Sequence, residues 1–161
     1  MLTMKLVATL LVGAAAGAIA TVAMSAVMLG AKRAGVSGEL PPERITRTAI
    51  EGLSARPLDD HAEHAIASVA HLGFGALAGA LFNLLMTREG SARGSPAIAA
   101  SAGVIYATGV WLVSYQGWVP GLGFMPPASR DRRGRVATML VAHWVYGGAL
   151  GILATRIRAA V

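Results

Sequence analysis

The side chains best suited to chemistry are two histidines, His71 and His143, 72 residues apart in near-repeating surroundings. Val69-Ala-His71-Leu-Gly-Phe-Gly75-Ala-Leu-Ala-Gly79-Ala-Leu81 aligns with Val141-Ala-His143-Trp-Val-Tyr-Gly147-Gly-Ala-Leu-Gly151-Ile-Leu153, with six of thirteen positions identical and Phe74 matched to Tyr146. An imidazole can donate, accept or ligate near neutral pH. A matched pair therefore suits three uses besides plain interhelical hydrogen bonding. These are a shared ligand site, a bis-His haem b site with glycines making room for the macrocycle, and a His-lined proton or solute pathway. For the bonding role, Ser25, Ser101, Tyr106 and Thr108 are the candidate partners. A second cluster, Asp59-Asp60-His61-Ala62-Glu63-His64, could hold a divalent metal through His61, His64 and Asp60. It equally suits a helix start, with an aspartate capping the first turn. The absence of cysteine excludes disulfides, thiolate metal sites and Cys nucleophiles. No Gly-rich phosphate loop, Ser/His/Asp arrangement or paired carboxylates occur, so no catalytic residue is assigned and a non-enzymatic protein is expected.

These histidines must be positioned by membrane helices. Hydrophobic residues make up 55% of the 161-residue chain and charged ones 14%, with mean hydropathy +0.58, more apolar than a soluble domain of this size can bury. Four runs free of Asp, Glu, Lys and Arg can cross about 30 Å of hydrocarbon: Leu6 to Gly30, Ala65 to Met86, Pro96 to Tyr115 and Val136 to Thr155. The fold class is thus all-α, a single polytopic membrane domain over residues 1–161. The net charge of +6 does not point to nucleic acid, because all fourteen Lys and Arg lie at or beyond the ends of these runs. The bilayer with anionic lipids is the expected partner, and a second copy or another membrane protein stays open. Lys5 and Ala23-Met-Ser-Ala26 imitate a secretory signal with its cleavage site. The likeness of Ala16-Gly-Ala-Ile19 to the internal Ala102-Gly-Val-Ile105 instead marks a retained span.

The runs pair into a duplication. Gly38-Glu-Leu-Pro41-Pro42-Glu-Arg44 follows the first and Gly123-Phe-Met-Pro126-Pro127-Ala-Ser-Arg130 the third, so span, Pro-Pro loop and His-bearing span recur in order. Repeat one covers about 6–86 and repeat two about 96–157, with an insertion in the first copy within Thr48 to Asp60. Each two-span unit returns the chain to its starting side, so the copies lie parallel. Each Pro-Pro pair is expected to stop the preceding helix and hold a stiff extended turn. Small residues four apart (Gly13 and Gly17; Gly75 and Gly79; Gly147 and Gly151) predict close helix packing. Both histidines then lie about 9–11 Å below one face and point toward each other. A polar stripe of His61, His64 and Ser68 leads down to His71.

Nine Lys and Arg flank the Pro-Pro side against five on the other, which assigns the Pro-Pro loops to the cytoplasm. Trp111, Tyr115 and Trp118 read as an interfacial belt, and Arg130-Asp-Arg-Arg-Gly-Arg135 as a solvated anchor. The pattern carried by Pro41, Pro42, His71, Pro126, Pro127, His143 and Tyr146 resembles the YagU-like group of small bacterial inner-membrane proteins. That resemblance implies a four-span protein of the bacterial inner (plasma) membrane and supplies no catalytic residue. The expected function is a structural or assembly component or a minor transport element without cofactor; a bis-His haem b cytochrome is the alternative.

Overall fold

The computed structural model describes residues 2–53, 59–88 and 95–160, and the side chains of all of these except Leu2, Leu53, Thr87 and Arg88. No strand occurs among the described residues. The elements are α1 (Leu2–Arg33), α2 (Pro41–Leu53), α3 (Asp60–Arg88), α4 (Pro96–Leu112), a π-helical segment (Val113–Trp118), α5 (Val119–Gly121), a 3-10 turn (Ala128–Arg130) and α6 (Arg133–Ala160). Four helical stretches are long and apolar enough to cross a membrane: Thr3–Arg33, Asp60–Met86, Pro96–Gly121 and Arg133–Ala160. They are apolar around their whole circumference, as a helix with lipid on one side and protein on the other must be.

Their starts follow local chemistry. The Asp59 carboxylate accepts from Ala62 N–H at 2.9 Å, so the acidic cluster does cap α3. Ser95 caps α4, with Pro96 just inside it, where a missing N–H costs nothing.

Glycines decide which helices meet. A Cβ on Gly13 would collide with the Gly79 carbonyl oxygen and lie 2.7 Å from Asn83 Cβ; one on Gly17 would collide with the Gly75 carbonyl and lie 2.9 Å from Gly79 Cα. On the other pair of helices, a Cβ on Gly103 would collide with the Gly147 carbonyl, and one on Gly151 with that of Ala99. Backbone thus touches backbone along α1–α3 and along α4–α6, where dispersion rather than hydrophobic drive holds helices in lipid. α1 also packs along α6, whereas α3 and α4 scarcely touch. The four spans are therefore arranged α3, α1, α6, α4, with a gap between the outer two. Tyr hydroxyls reach α3 from α4, across that gap, and from α6: Tyr106 donates to Ala78 O and Tyr146 to Gly75 O, each at 2.7 Å.

One expectation is corrected. Pro41-Pro42 does not stop α1, which ends at Arg33; it opens α2, an amphipathic helix lying against α3. A proline in the first turn has no N–H to leave unbonded and its φ is already helical, so the same pair that would end a helix begins one. The second pair holds the expected extended turn, with Pro127 at φ −63°, ψ 155° before the 3-10 turn, but it does not stop the preceding helix either, since α5 ends at Gly121. The expected insertion, Thr48 to Asp60, lies partly in α2 and α3, and its residues 54–58 lie outside the described residues.

Candidate functional site

The Pro-Pro ends of the bundle are locked together by buried charge. Tyr115 Oη donates to Asp131 Oδ2 at 2.7 Å, while Arg135 donates to both Asp131 oxygens (3.1 and 3.2 Å) and through Nε to Ser37 O (3.2 Å). Burial alone would raise the Asp131 carboxyl, but the Tyr115 hydroxyl, the Arg132 N–H and the Arg135 charge outweigh it and hold it below the ordinary carboxylate value. Gly38 takes φ +65° here, a backbone shape that favours glycine, and Gly134 meets the Val36 carbonyl so closely that no Cβ fits. Two surface readings fail in consequence. Tyr115 is 6% exposed and is no belt residue, and Arg135 is 5% exposed and is no solvated anchor. Arg130, Arg132 and Arg133 do remain exposed. Of the loop residues singled out from sequence, Arg44 sits on α2, with its N–H bonded to Leu40 O.

Above this latch lies a cavity of about 270 Å³, and both His71 and His143 line it. His143 Nδ1 donates to Met139 O at 2.7 Å. A carbonyl only accepts, so this bond assigns the proton to Nδ1 and leaves Nε2 with an acceptor lone pair. His71 Nε2 is buried without a partner. Of the expected interhelical partners, Tyr106 is engaged with Ala78 and Thr108 with the Val104 carbonyl and the Trp144 indole N–H. Among the described residues, no Asp, Glu, Lys or Arg lines the cavity; its other polar side chains are Thr21, Thr46, Ser114, Tyr115, Trp118 and Tyr146. The π-helical segment supplies three of these. Such segments often mark functional positions, and nothing in the sequence around Val113–Trp118 announces one.

A narrower cleft of about 260 Å³ between α1, α2 and α3 is lined by Ser25, Glu43, His64 and Ser68 and again by His71, whose ring therefore borders both spaces. The polar stripe expected from sequence exists in part, since Ser68 donates to His64 O at 2.8 Å and His64 lies 3.6 Å from Glu43. Glu43 is itself held by Lys32 at 2.7 Å, tying α2 to α1. His61, His64 and Asp60 do not converge: His64 Nδ1 bonds the Asp60 carbonyl, and no group of three His, Asp or Glu able to hold a metal occurs among the described residues.

The haem alternative does not fit. Gly75, Gly79, Gly147 and Gly151, expected to clear space for a macrocycle, are occupied by Thr21 and by the backbones of α1 and α4. The cavity is also smaller than the roughly 300–1,000 Å³ typical of drug-sized ligands.

The sequence profile of DUF6789, a family of unknown function, matches residues 7–160. The chain belongs to that family. The DUF6789 match embraces every element that builds the cavity, and the likeness to the YagU-like group rests on its short motifs alone. No curated protein and no solved structure matches this DUF6789 member.

Proposed function

We propose that this DUF6789 member is a non-enzymatic membrane protein whose four spans hold a binding cavity for a small uncharged molecule, so that it acts as a minor transport element. Bilayer lipid surrounds it, in the bacterial inner membrane on the YagU-like resemblance, with the Pro-Pro loops cytoplasmic by the excess of flanking Lys and Arg. One observation carries the reading: imidazoles from two different helices open onto one space, and one of them keeps a buried nitrogen without a partner. An unsatisfied buried polar atom costs about 1–3 kcal/mol, which a ligand hydrogen bond would recover. A ladder of buried methionines, Met24, Met28 and Met139, supplies a soft wall that adapts to shape.

The two-unit duplication supports this placement of the pair. Gly17 meets Gly75 as Gly103 meets Gly147, so related contacts set the depth of both histidines. The test is photolabelling in nanodiscs with para-(hydroxymethyl)benzophenone, which inserts preferentially into methionine C–H bonds. Adducts on Met24, Met28 and Met139 should exceed those on lipid-facing Met4, which is 75% exposed, and should fall when Val110→Trp fills the cavity. Labelling confined to Met4 would refute the reading.

A further inference from the structure

The cavity has a side as well as a floor. Its back wall is α1 with α6, whose close packing leaves no passage, and its base is the buried Tyr115–Asp131–Arg135 latch. Besides α2, which lines it through Pro41, Pro42, Ile45 and Thr46 and packs against α3, the remaining flanks are α3, through Ala70, Phe74 and Ala78, and α4 with the π-helical segment, through Val110, Ser114 and Trp118. These two helices scarcely touch. They are bridged at two levels only by side chains: Tyr106 to Ala78 with Phe82 against Tyr106 (ring centroids 5.2 Å), and Phe74 against Trp118 (6.1 Å). Phe74 and Trp118 are 43% and 41% exposed, so both rings face outward as well as into the cavity. Phe74 and Trp118 both lie within stretches long and apolar enough to cross a membrane, so in a bilayer that window would open toward lipid.

Resting on the cavity being a binding site, we infer that its ligand is a neutral, lipid-dissolved molecule carrying a hydroxyl or N–H, which enters sideways from the bilayer between α3 and α4 past Phe74 and Trp118. Three features select that chemistry. Among the described residues no charged side chain lines the space, so an ion would lose its hydration without compensation there. The His143 Nε2 lone pair asks for a donor, since its Nδ1 proton is committed to Met139. Apart from the hydroxyls of Thr21, Thr46 and Ser114, the lining is mostly methionine, aromatic and small aliphatic, the composition of a site for an apolar body with a polar tip.

Two photoprobes of equal size separate the routes: para-(hydroxymethyl)benzophenone, which dissolves in lipid, and para-benzoylbenzoate, an anion that stays at the water side. On the unaltered protein in nanodiscs, the alcohol should label Met24 and Met139 at least tenfold more than the carboxylate at equal aqueous concentration. Equal labelling by the two would overturn lipid-phase access. In a Phe74→Cys/Trp118→Cys variant, feasible because the chain has no cysteine of its own, joining the thiols with a short bis-thiosulfonate should abolish labelling of Met139 by the alcohol, and reduction should restore it. Undiminished labelling after bridging would overturn the lateral route while leaving the cavity as a binding site. Failure of both probes to label Met24 or Met139 in the unaltered protein would instead refute the cavity's binding role.

Discussion

Replacing Gly17 by alanine adds one methyl group where the backbones of α1 and α3 touch. Its Cβ would press on the Gly75 carbonyl oxygen and sit 2.9 Å from Gly79 Cα and 3.1 Å from Gly75 C, where ordinary contact begins near 3.4 Å. All three neighbours are backbone, so no rotamer change relieves the clash and the helices must separate. Overpacking of this kind costs about 1–3 kcal/mol, and a gap of about 0.5–1 Å forfeits a quarter to a half of each dispersion contact it opens. Alanine also gains about 0.8–1.0 kcal/mol of helix propensity over glycine, so the proper reference is a glycine with open space around it. Gly73 has nothing within 4 Å. Gly73→Ala should therefore be neutral or stabilising, and Gly17→Ala should lie about 1–3 kcal/mol below it, roughly a 5- to 150-fold difference in the unfolding equilibrium. Titration with SDS in mixed micelles, followed by far-UV circular dichroism, reads both on one scale. Equal midpoints for the two variants would refute the backbone contact between α1 and α3.

Gly103→Ala, the corresponding change on α4, presses on the Gly147 carbonyl and should cost the same as Gly17→Ala within the error of the titration. Arg135→Met strands the Asp131 carboxylate and should lower stability by about 3–5 kcal/mol in the same assay. Because the folded state holds that carboxyl below its ordinary value, its contribution is complete above the unfolded value and is lost as pH falls through the folded one. Acid titration should accordingly show stability flat from about pH 5 to 8 and declining below the usual carboxylate range, and Asp131→Asn should remove that decline. Haem added to the purified protein should produce no protein-bound Soret band, and a band abolished by both His71→Ala and His143→Ala would contradict the crowding around Gly75 and Gly147.

Much of this molecule is readable from the chain because membrane helices announce themselves by length and by exclusion of charge. The four runs lie inside the four long helices, and the four-residue spacing of Gly13, Gly17, Gly75, Gly79, Gly147 and Gly151 falls where backbones meet. The spacing of His71 and His143 likewise anticipates that both rings reach one space. What stays hidden depends on which groups the fold brings near. Tyr115 and Trp118 have the same character in sequence, yet one is buried against Asp131 and the other looks outward. Arg135 reads as one of several surface cations until the 34–40 loop covers it. α2 was legible in principle: Pro41, Glu43 in the first turn, and apolar residues at 45, 49, 50 and 53 form a helix-start and amphipathic pattern that competes with the helix-stopping sense of proline. The α3–α4 window has no linear signature, since it exists through the sparseness of contact between two helices.

The placement of both imidazoles on one cavity is tested most directly by His71→Cys/His143→Cys in this otherwise cysteine-free chain. A short bis-thiosulfonate should join the two thiols within one molecule, leaving no free thiol on either peptide. Independent modification of each thiol with no intramolecular bridge would contradict it.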